Sequence, residues 1–195
     1  WVEVLSGLRE GDEIVLDGYR EDPGYGTPTE LPGKLAAFRM LDIHSVGAHA
    51  HRWRFNLRTG SVTEGPLDDA ISEFGMINPA FAGKPYRYAW GVTAKPGWFL
   101  FDGLTRLDVE TGERQVYRFP EGVYASESPM APRLGAQAED DGYVVTFTTD
   151  MNNDSSSCLV FSAADISQGP LASIALPERI CAGTHAYWAG SNQRD

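Results

Sequence analysis

Two groups of residues in this sequence have the types and spacing that could support chemistry. The first is a histidine pair, His49 and His51, which one residue separates. On a β-strand both imidazoles would lie on one face, which makes them a candidate metal pair. No cysteine or acidic ligand stands beside them, so exposed polar side chains of an alternating strand explain the pair better.

The second group contains one histidine and two glutamates. His185 lies among small and aromatic residues, with Gly183 two positions before it. This glycine allows close approach of the backbone, and the neighbours predict a packed, largely dry imidazole. By itself the pattern is typical of a histidine in the core or at its rim.

The glutamates, Glu73 and Glu127, lie among apolar and small residues. A carboxylate is costly to bury without a partner, and an imidazole N–H would be a suitable one. The alternatives are a surface acid or an ion pair, such as Glu127 with Arg133. The sequence contains no nucleophile elbow, phosphate-binding loop, dinucleotide fingerprint or zincin motif.

The elements that would position these residues are short strands. Runs rich in Val, Phe, Tyr, Trp and Thr, interrupted by Gly, Pro, Asn and Asp, predict an all-β chain. Two hairpins over residues 50–64 and 105–119 share a turn that ends in Thr-Gly, at Gly60 and again 52 residues later at Gly112. A third unit is predicted over residues 142–176. Residues 22–33 are predicted as a loop, and residues 34–43 as a short helix or an irregular excursion.

A repeat of roughly 40–50 residues, each a small antiparallel sheet, is typical of β-propeller blades. The alternative is one β-sandwich in which the similar turns coincide. Propellers typically need 4–8 blades to close, whereas 195 residues allow three to four. The chain also begins at Trp1 without a methionine, so we expect it to be part of a larger ring.

Charge and cysteine content exclude some functions. The 16 basic residues are outnumbered by 27 acidic ones, and the net charge of −11 argues against binding to nucleic acid. Cys158 and Cys181 do not make a disulfide framework and predict two reduced, mostly buried thiols in a cytoplasmic protein. No apolar run has the length of a membrane span.

Three sequence blocks follow one another along the chain. They are Glu73-Phe74-Gly75 with Asn78 and residues 82–88, then residues 126–133 with 139–143, then residues 169–177 with Gly183-Thr184-His185-Ala186 and Trp188. In this order the blocks resemble the carotenoid cleavage oxygenase family, also called the retinal pigment epithelial membrane protein family. Gly-Thr-His-Ala in the last block, and Glu-Phe-Gly in place of the commoner Glu-Phe-Pro, look closest to its lignostilbene dioxygenase branch.

The resemblance implies a seven-bladed propeller that holds a non-haem Fe(II) on its axis through four histidines. Three glutamates accept the ring N–H groups of three of those histidines, and the metal activates O2 to cleave a carbon–carbon double bond into two carbonyl products. Transferred by motif, His185 would be the last iron ligand, and Glu73 and Glu127 would be two of the orienting acids. Residues 1–195 would then be the C-terminal part of a single propeller domain.

The sequence also departs from the family pattern. The third ligand usually lies in a His-x-x-Asn-Ala stretch before the Glu-Gly-Asp turn, but residues 3–10 contain no histidine. Either that ligand precedes Trp1 or Glu3 replaces it, and His44, His49 and His51 do not match ligand positions. We therefore expect the isolated chain neither to bind iron tightly nor to turn over substrate.

Two functions remain in competition. The first is a dioxygenase that acts with O2 on a hydrophobic or aromatic alkene, either an apocarotenoid or a lignin-derived stilbene. The second is a non-catalytic β-propeller module that has lost its iron ligands. Any contact with a membrane surface would come from segments outside these residues.

Overall fold

The computed structural model describes residues 2–21, 47–95, 100–181 and 183–190. Regular structure in these ranges consists of antiparallel strands and two short 3-10 helices, Pro79–Phe81 and Ile166–Gln168, which confirms the all-β prediction. Among the described residues, no helix is long and apolar enough to cross a membrane. The predicted loop over residues 22–33 and the predicted helix or excursion over residues 34–43 lie outside these ranges.

The strands form three successive antiparallel sheets, each built from a contiguous stretch of sequence. Thr-Gly turns, alternating apolar residues and β-branched side chains favour this meander. The first sheet contains β1 (Val2–Glu10), β2 (Glu13–Glu21), β3 (Ala48–Asn56) and β4 (Val62–Pro66); the second contains β5 (Ser72–Ile77), β6 (Tyr88–Thr93), β7 (Gly103–Asp108) and β8 (Arg114–Arg118); the third contains β9 (Val123–Ala125), β10 (Met130–Pro132), β11 (Gly142–Asp150), β12 (Ser155–Ser162) and β13 (Pro170–Ala175).

The second and third sheets both begin irregularly: the second with a strand whose register shifts, the third with two short strands. Both candidate glutamates lie at these irregularities. β5 pairs with β6, but the register shifts between Glu73 and Met76. In the third sheet β9 and β10 both pair with β11, which leaves residues 126–129, including Glu127, between two short strands. Bulges of this kind turn side chains out of the regular alternation of a strand.

The repeated hairpins are built in the same way. Asn56 Oδ1 accepts the N–H groups of residues 58 and 59, and Asp108 Oδ1 accepts those of residues 110 and 111. Each turn ends at a glycine with positive φ, 72° at Gly60 and 74° at Gly112, which is the conformation that favours glycine. In the third sheet the corresponding turn between β12 and β13 ends at Gly169, with φ 87°. The predicted hairpin repeat is therefore confirmed.

Two apolar clusters join the three sheets. Between the second and third sheets the largest fully buried side chains include Trp90, Leu104 and Phe161, and the indole N–H of Trp90 donates to the carbonyl of Ala163. A smaller cluster between the first and second sheets is formed by Tyr19, Ala48, Ala50 and Leu107.

A buried polar group ties the first sheet to the loop that precedes β6. Asp17 is 2% exposed; it accepts two hydrogen bonds of 2.7 Å from Arg52 and one of 2.6 Å from the hydroxyl of Tyr86. Burial, followed by the nearby Asp17 charge, raises the pKa of Tyr86 well above its usual value. Because every acceptor in this group is matched to a donor, the carboxylate can be buried without an unpaired charge.

Candidate metal centre

Residues 126–129 form a short arch over the edge of the third sheet, and Glu127 lies in it. Both ends are fixed to β11: the N–H of Ser126 donates to the carbonyl of Phe147, and the N–H of Val145 donates to the carbonyl of Pro129. Ser128 donates its hydroxyl back to the carbonyl of Ser126 at 2.8 Å. The arch holds the Glu127 side chain in a buried position, 7% exposed.

The carboxylate of Glu127 contacts two successive residues near the end of the chain. Oε2 lies 3.3 Å from Nδ1 of His185 and also accepts the backbone N–H of Ala186. A neutral imidazole whose Nδ1–H points at a carboxylate has its other nitrogen, Nε2, free to act as a ligand. The structure thus brings together two of the three residues that the sequence singled out.

The environment of His185 differs from the sequence expectation. Its side chain is 80% exposed, so the prediction of a packed, dry imidazole is wrong for this structure. Residues 177–181 and 183–190, here called the His185 segment, lie against the sheet without forming a strand. One side of the imidazole is therefore fixed and the rest faces outward. A Cβ at Gly183 would lie 3.4 Å from that of Ser126, an ordinary van der Waals contact, so the segment passes close to the arch at this point.

The His185 segment is anchored five residues before the histidine. The hydroxyl of Ser156 accepts the N–H of Ile180 at 3.1 Å, and Thr149 Oγ1 donates to the carbonyl of Ile180 at 3.2 Å. Both hydroxyl residues are buried, at 3% and 6% exposure. Neighbouring strands β11 and β12 therefore hold both the N–H and the carbonyl of Ile180.

Phe74 is the residue at this site that sequence reasoning missed. Its ring meets that of His185 nearly at a right angle, with centroids 5.6 Å apart, and meets that of Phe101 in the same way at 5.4 Å. Its φ of 51° lies in the left-handed region, which costs a side-chain-bearing residue roughly 1–2 kcal/mol. Glu73 directly precedes it and is half-buried at the bulge. The only available signal was the place of Phe74 inside the Glu-Phe-Gly motif.

The remaining candidates lie apart from this site. His51 is 7% exposed and its Nε2 lies 3.2 Å from Glu64, so the expectation of an exposed side chain is wrong for it. His49 Nδ1 lies 3.0 Å from the carbonyl of Ala70. Arg133 pairs with Asp141 at 3.0 Å rather than with Glu127. His44 and the side chain of Glu3 lie outside the described part of the chain.

The cysteines also differ in part from expectation. Both are free thiols, as predicted, but Cys158 is half-buried and Cys181 is exposed. Burial raises the pKa of the Cys158 thiol, which makes it less nucleophilic at neutral pH.

The residues present supply one imidazole with the chemistry of a metal ligand. Within the described ranges no group of three or more His, Cys, Asp or Glu side chains lies close enough to hold an ion. His185 with Glu127 nevertheless has the arrangement of a metal-binding imidazole whose second nitrogen is fixed by a carboxylate. The pair fits a transition metal that accepts nitrogen ligands.

Comparison with known proteins identifies related sequences over almost the whole chain. The family model "RPE65: Retinal pigment epithelial membrane protein" matches residues 3–190. Carotenoid 9,10(9',10')-cleavage dioxygenase 1 of Arabidopsis thaliana is 32% identical over 96% of the chain, and lignostilbene-alpha,beta-dioxygenase isozyme III of Sphingomonas paucimobilis is 25% identical over 97%. The chain spans 36% of the first relative's length and 41% of the second's.

Solved structures show the same fold. A lignostilbene dioxygenase of Pseudomonas brassicacearum aligns with a TM-score of 0.81 at 22% identity, covering 97% of this chain and 42% of that one. A cobalt-substituted apocarotenoid oxygenase of Synechocystis aligns with a TM-score of 0.83 at 22% identity, covering 98% and 40%. The three sheets therefore have the architecture of a β-propeller, and the match to residues 3–190 shows that the chain belongs to the retinal pigment epithelial membrane protein family, which includes the carotenoid and lignostilbene dioxygenases.

Proposed function

We propose that this chain is part of a non-haem Fe(II) dioxygenase that cleaves a carbon–carbon double bond of an apocarotenoid or a lignin-derived stilbene. O2 is the second substrate and two carbonyl compounds are the products. The observation that carries this proposal is the contact between His185 Nδ1 and the buried carboxylate of Glu127. The relatives are dioxygenases by name, which favours an enzyme over a non-catalytic propeller module.

In this proposal His185 binds the metal through Nε2, and Glu127 keeps the imidazole in the required tautomer and orientation. Glu73, at the bulge of β5, orients another ligand histidine, for which none of the described residues is proposed. The bound metal would supply the activation of O2. Iron itself is an inference from the resemblance, and the cobalt-substituted relative supports a divalent metal of this kind.

The arch of residues 126–129 gives Glu127 its orienting role. The buried carboxylate lies 3.3 Å from the imidazole Nδ1 and accepts the backbone N–H of Ala186, so it contacts both the ring and the main chain that carries it. Fixing a ligand in this way reduces the cost of ordering it when the metal binds. His185 therefore stays in place although most of its side chain is exposed.

Metal analysis of the protein expressed from its complete gene tests this function. His185→Ala should lose both bound iron and alkene cleavage, because a ligand is removed. His49→Gln, a histidine substitution in the first sheet, should retain both. Unchanged iron content in His185→Ala would contradict the assignment.

The isolated 195-residue chain provides a second test. With one proposed ligand among its described residues, it should neither hold iron through gel filtration nor cleave substrate. One tightly bound iron per chain would contradict this prediction.

The two free cysteines support the predicted cytoplasmic location, and the net charge of −11 supports the absence of nucleic-acid partners.

A further inference from the structure

Phe74 has a conformation that needs an explanation. Left-handed backbone is rare for an aromatic residue and is kept only where the surroundings enforce it. In Phe74, φ is 51°, at the point where the register between β5 and β6 shifts. The outcome of this backbone turn is that the phenyl ring lies against the imidazole of His185.

The neighbouring sheet packs closely against this turn. A Cβ at Gly75 would lie 2.2 Å from Cε2 of Tyr19, and one at Gly91 would lie 3.3 Å from the hydroxyl of Tyr19. The ring of Tyr19, 3% exposed, therefore fills space that side chains on β5 and β6 would otherwise need. Position 75 therefore accepts only glycine, and the residue directly before it carries the left-handed backbone.

Phe101 links this bend to the segment that carries the Glu127 carboxylate. Its ring packs against that of Phe74, and its carbonyl accepts the N–H of Ala125, two residues before Glu127. Phe101 thereby connects Phe74, through ring packing, to the strand that leads to Glu127, through a backbone hydrogen bond. The separation of Phe74 and Glu127 is set by packing and backbone hydrogen bonds, independently of the His185 segment.

We propose that Phe74 is a positioning residue for His185: its ring and the Glu127 carboxylate together fix the plane of the imidazole. The contact between Nδ1 and Glu127 alone leaves the rotation of the imidazole about its Cβ–Cγ bond poorly restrained. An aromatic ring packed edge to face removes this freedom. The expected effect of Phe74 on metal binding rests on the proposed function, whereas its effect on the orientation of the imidazole does not.

The orientation is tested by NMR on the metal-free protein expressed from its complete gene. The ring protons of His185, assigned by their loss in His185→Asn, should be displaced by the ring current of Phe74. Phe74→Leu should return them toward the values of a free histidine, and Phe74→Tyr, which keeps an aromatic ring, should preserve the displacement. The matched control is Phe55→Leu in the first sheet, which should not change these shifts. Unchanged His185 shifts in Phe74→Leu would overturn the proposal.

Cobalt(II) titration of the same variants provides the second measurement. The dissociation constant should rise about twofold to tenfold in Phe74→Leu, as expected for the loss of one aromatic contact, and should be restored in Phe74→Tyr. Equal constants in wild type and Phe74→Leu would also overturn the proposal. A wild-type protein that binds no cobalt would instead refute the proposed function, and the NMR shifts would then decide the role of Phe74 alone.

Discussion

The ring of Tyr19 in the first sheet occupies the space that a side chain at Gly75 in the second sheet would need. This contact connects the packing between two sheets to the backbone of the Glu-Phe-Gly motif. A change of either residue should therefore affect both stability and the site.

Gly75→Ala should destabilise the protein by about 1–3 kcal/mol, the usual cost of overpacking. Tyr19→Leu should be destabilising alone because it leaves a cavity, but in the Gly75→Ala background it should cost less, since it provides room for the methyl group. Urea denaturation of the two single variants and the double variant measures this coupling. Strictly additive effects would show that the two residues are not in contact.

Glu127→Gln should weaken metal binding by roughly 10–100-fold, because the amide orients an imidazole less well than a carboxylate. Glu73→Gln should weaken it over the same range if Glu73 orients a second ligand. Metal content measured after dialysis checks both. The control is Glu64→Gln, which removes a carboxylate from a different histidine, His51, and should leave the metal content unchanged.

Amide exchange should distinguish the two glutamates further. Only Glu127 accepts the N–H of Ala186 in the contacts described above. In the metal-free protein, Glu127→Gln should accelerate hydrogen exchange at that amide, and Glu73→Gln should not. Equal protection in both variants would show that the Glu127 carboxylate does not hold the segment.

Ser156→Ala and Thr149→Val should release the anchor of the His185 segment at Ile180. Each loses a hydrogen bond worth about 1 kcal/mol, so limited proteolysis within residues 177–181 should become faster. Ser155→Ala, a change of the neighbouring exposed serine, is the matched control. Cleavage rates equal to wild type in both variants would mean that these hydroxyls do not retain the segment.

Acid should remove the contribution of Asp108 to the stability of the fold. The hydrogen bond from Arg87, followed by the N–H groups at the hairpin turn, lowers the pKa of Asp108 to about 2. Because the pKa of Asp108 is lower in the folded state, the ionised carboxylate stabilises the fold at pH values above its unfolded pKa near 4. This stabilisation is lost as the pH falls through 2. The melting-temperature gap between wild type and Asp108→Asn should therefore shrink from pH 4 to pH 2. A gap that is constant over this range would exclude the effect. Asn56 in the first hairpin shows that this turn accepts an amide.

The sequence predicted the strands beside recognisable turns better than the others. β3 and β7 precede the Thr-Gly turns, and β11 is a long run rich in Val and Thr, so hairpin periodicity and composition identify them. β6 is buried at five of its six positions, so it shows no alternation. β5, β9 and β10 are short or contain a shift in register. Bulges that position functional side chains also remove the periodic pattern on which prediction depends.

The site was predictable in part. Glu127 and His185 were identified by their motifs, although nothing in residue type alone pairs two positions so far apart. Phe74 and Tyr19 depend on which sheet faces which, and that is a property of packing. The polar group of Asp17, Arg52 and Tyr86 was missed for the same reason, because its members come from three separate parts of the sequence.

The hairpin turn between β3 and β4 has a practical consequence. The hydrogen bonds of the turn between β3 and β4 are almost all made among residues 56–61. Arg58 at its tip has a 75% exposed side chain, and its ion-pair partner Asp12 is 59% exposed, so loss of the pair costs little. A fluorophore or affinity handle attached at position 58 would therefore be carried by a self-contained turn in the first sheet, leaving the arch of Glu127 in the third sheet undisturbed.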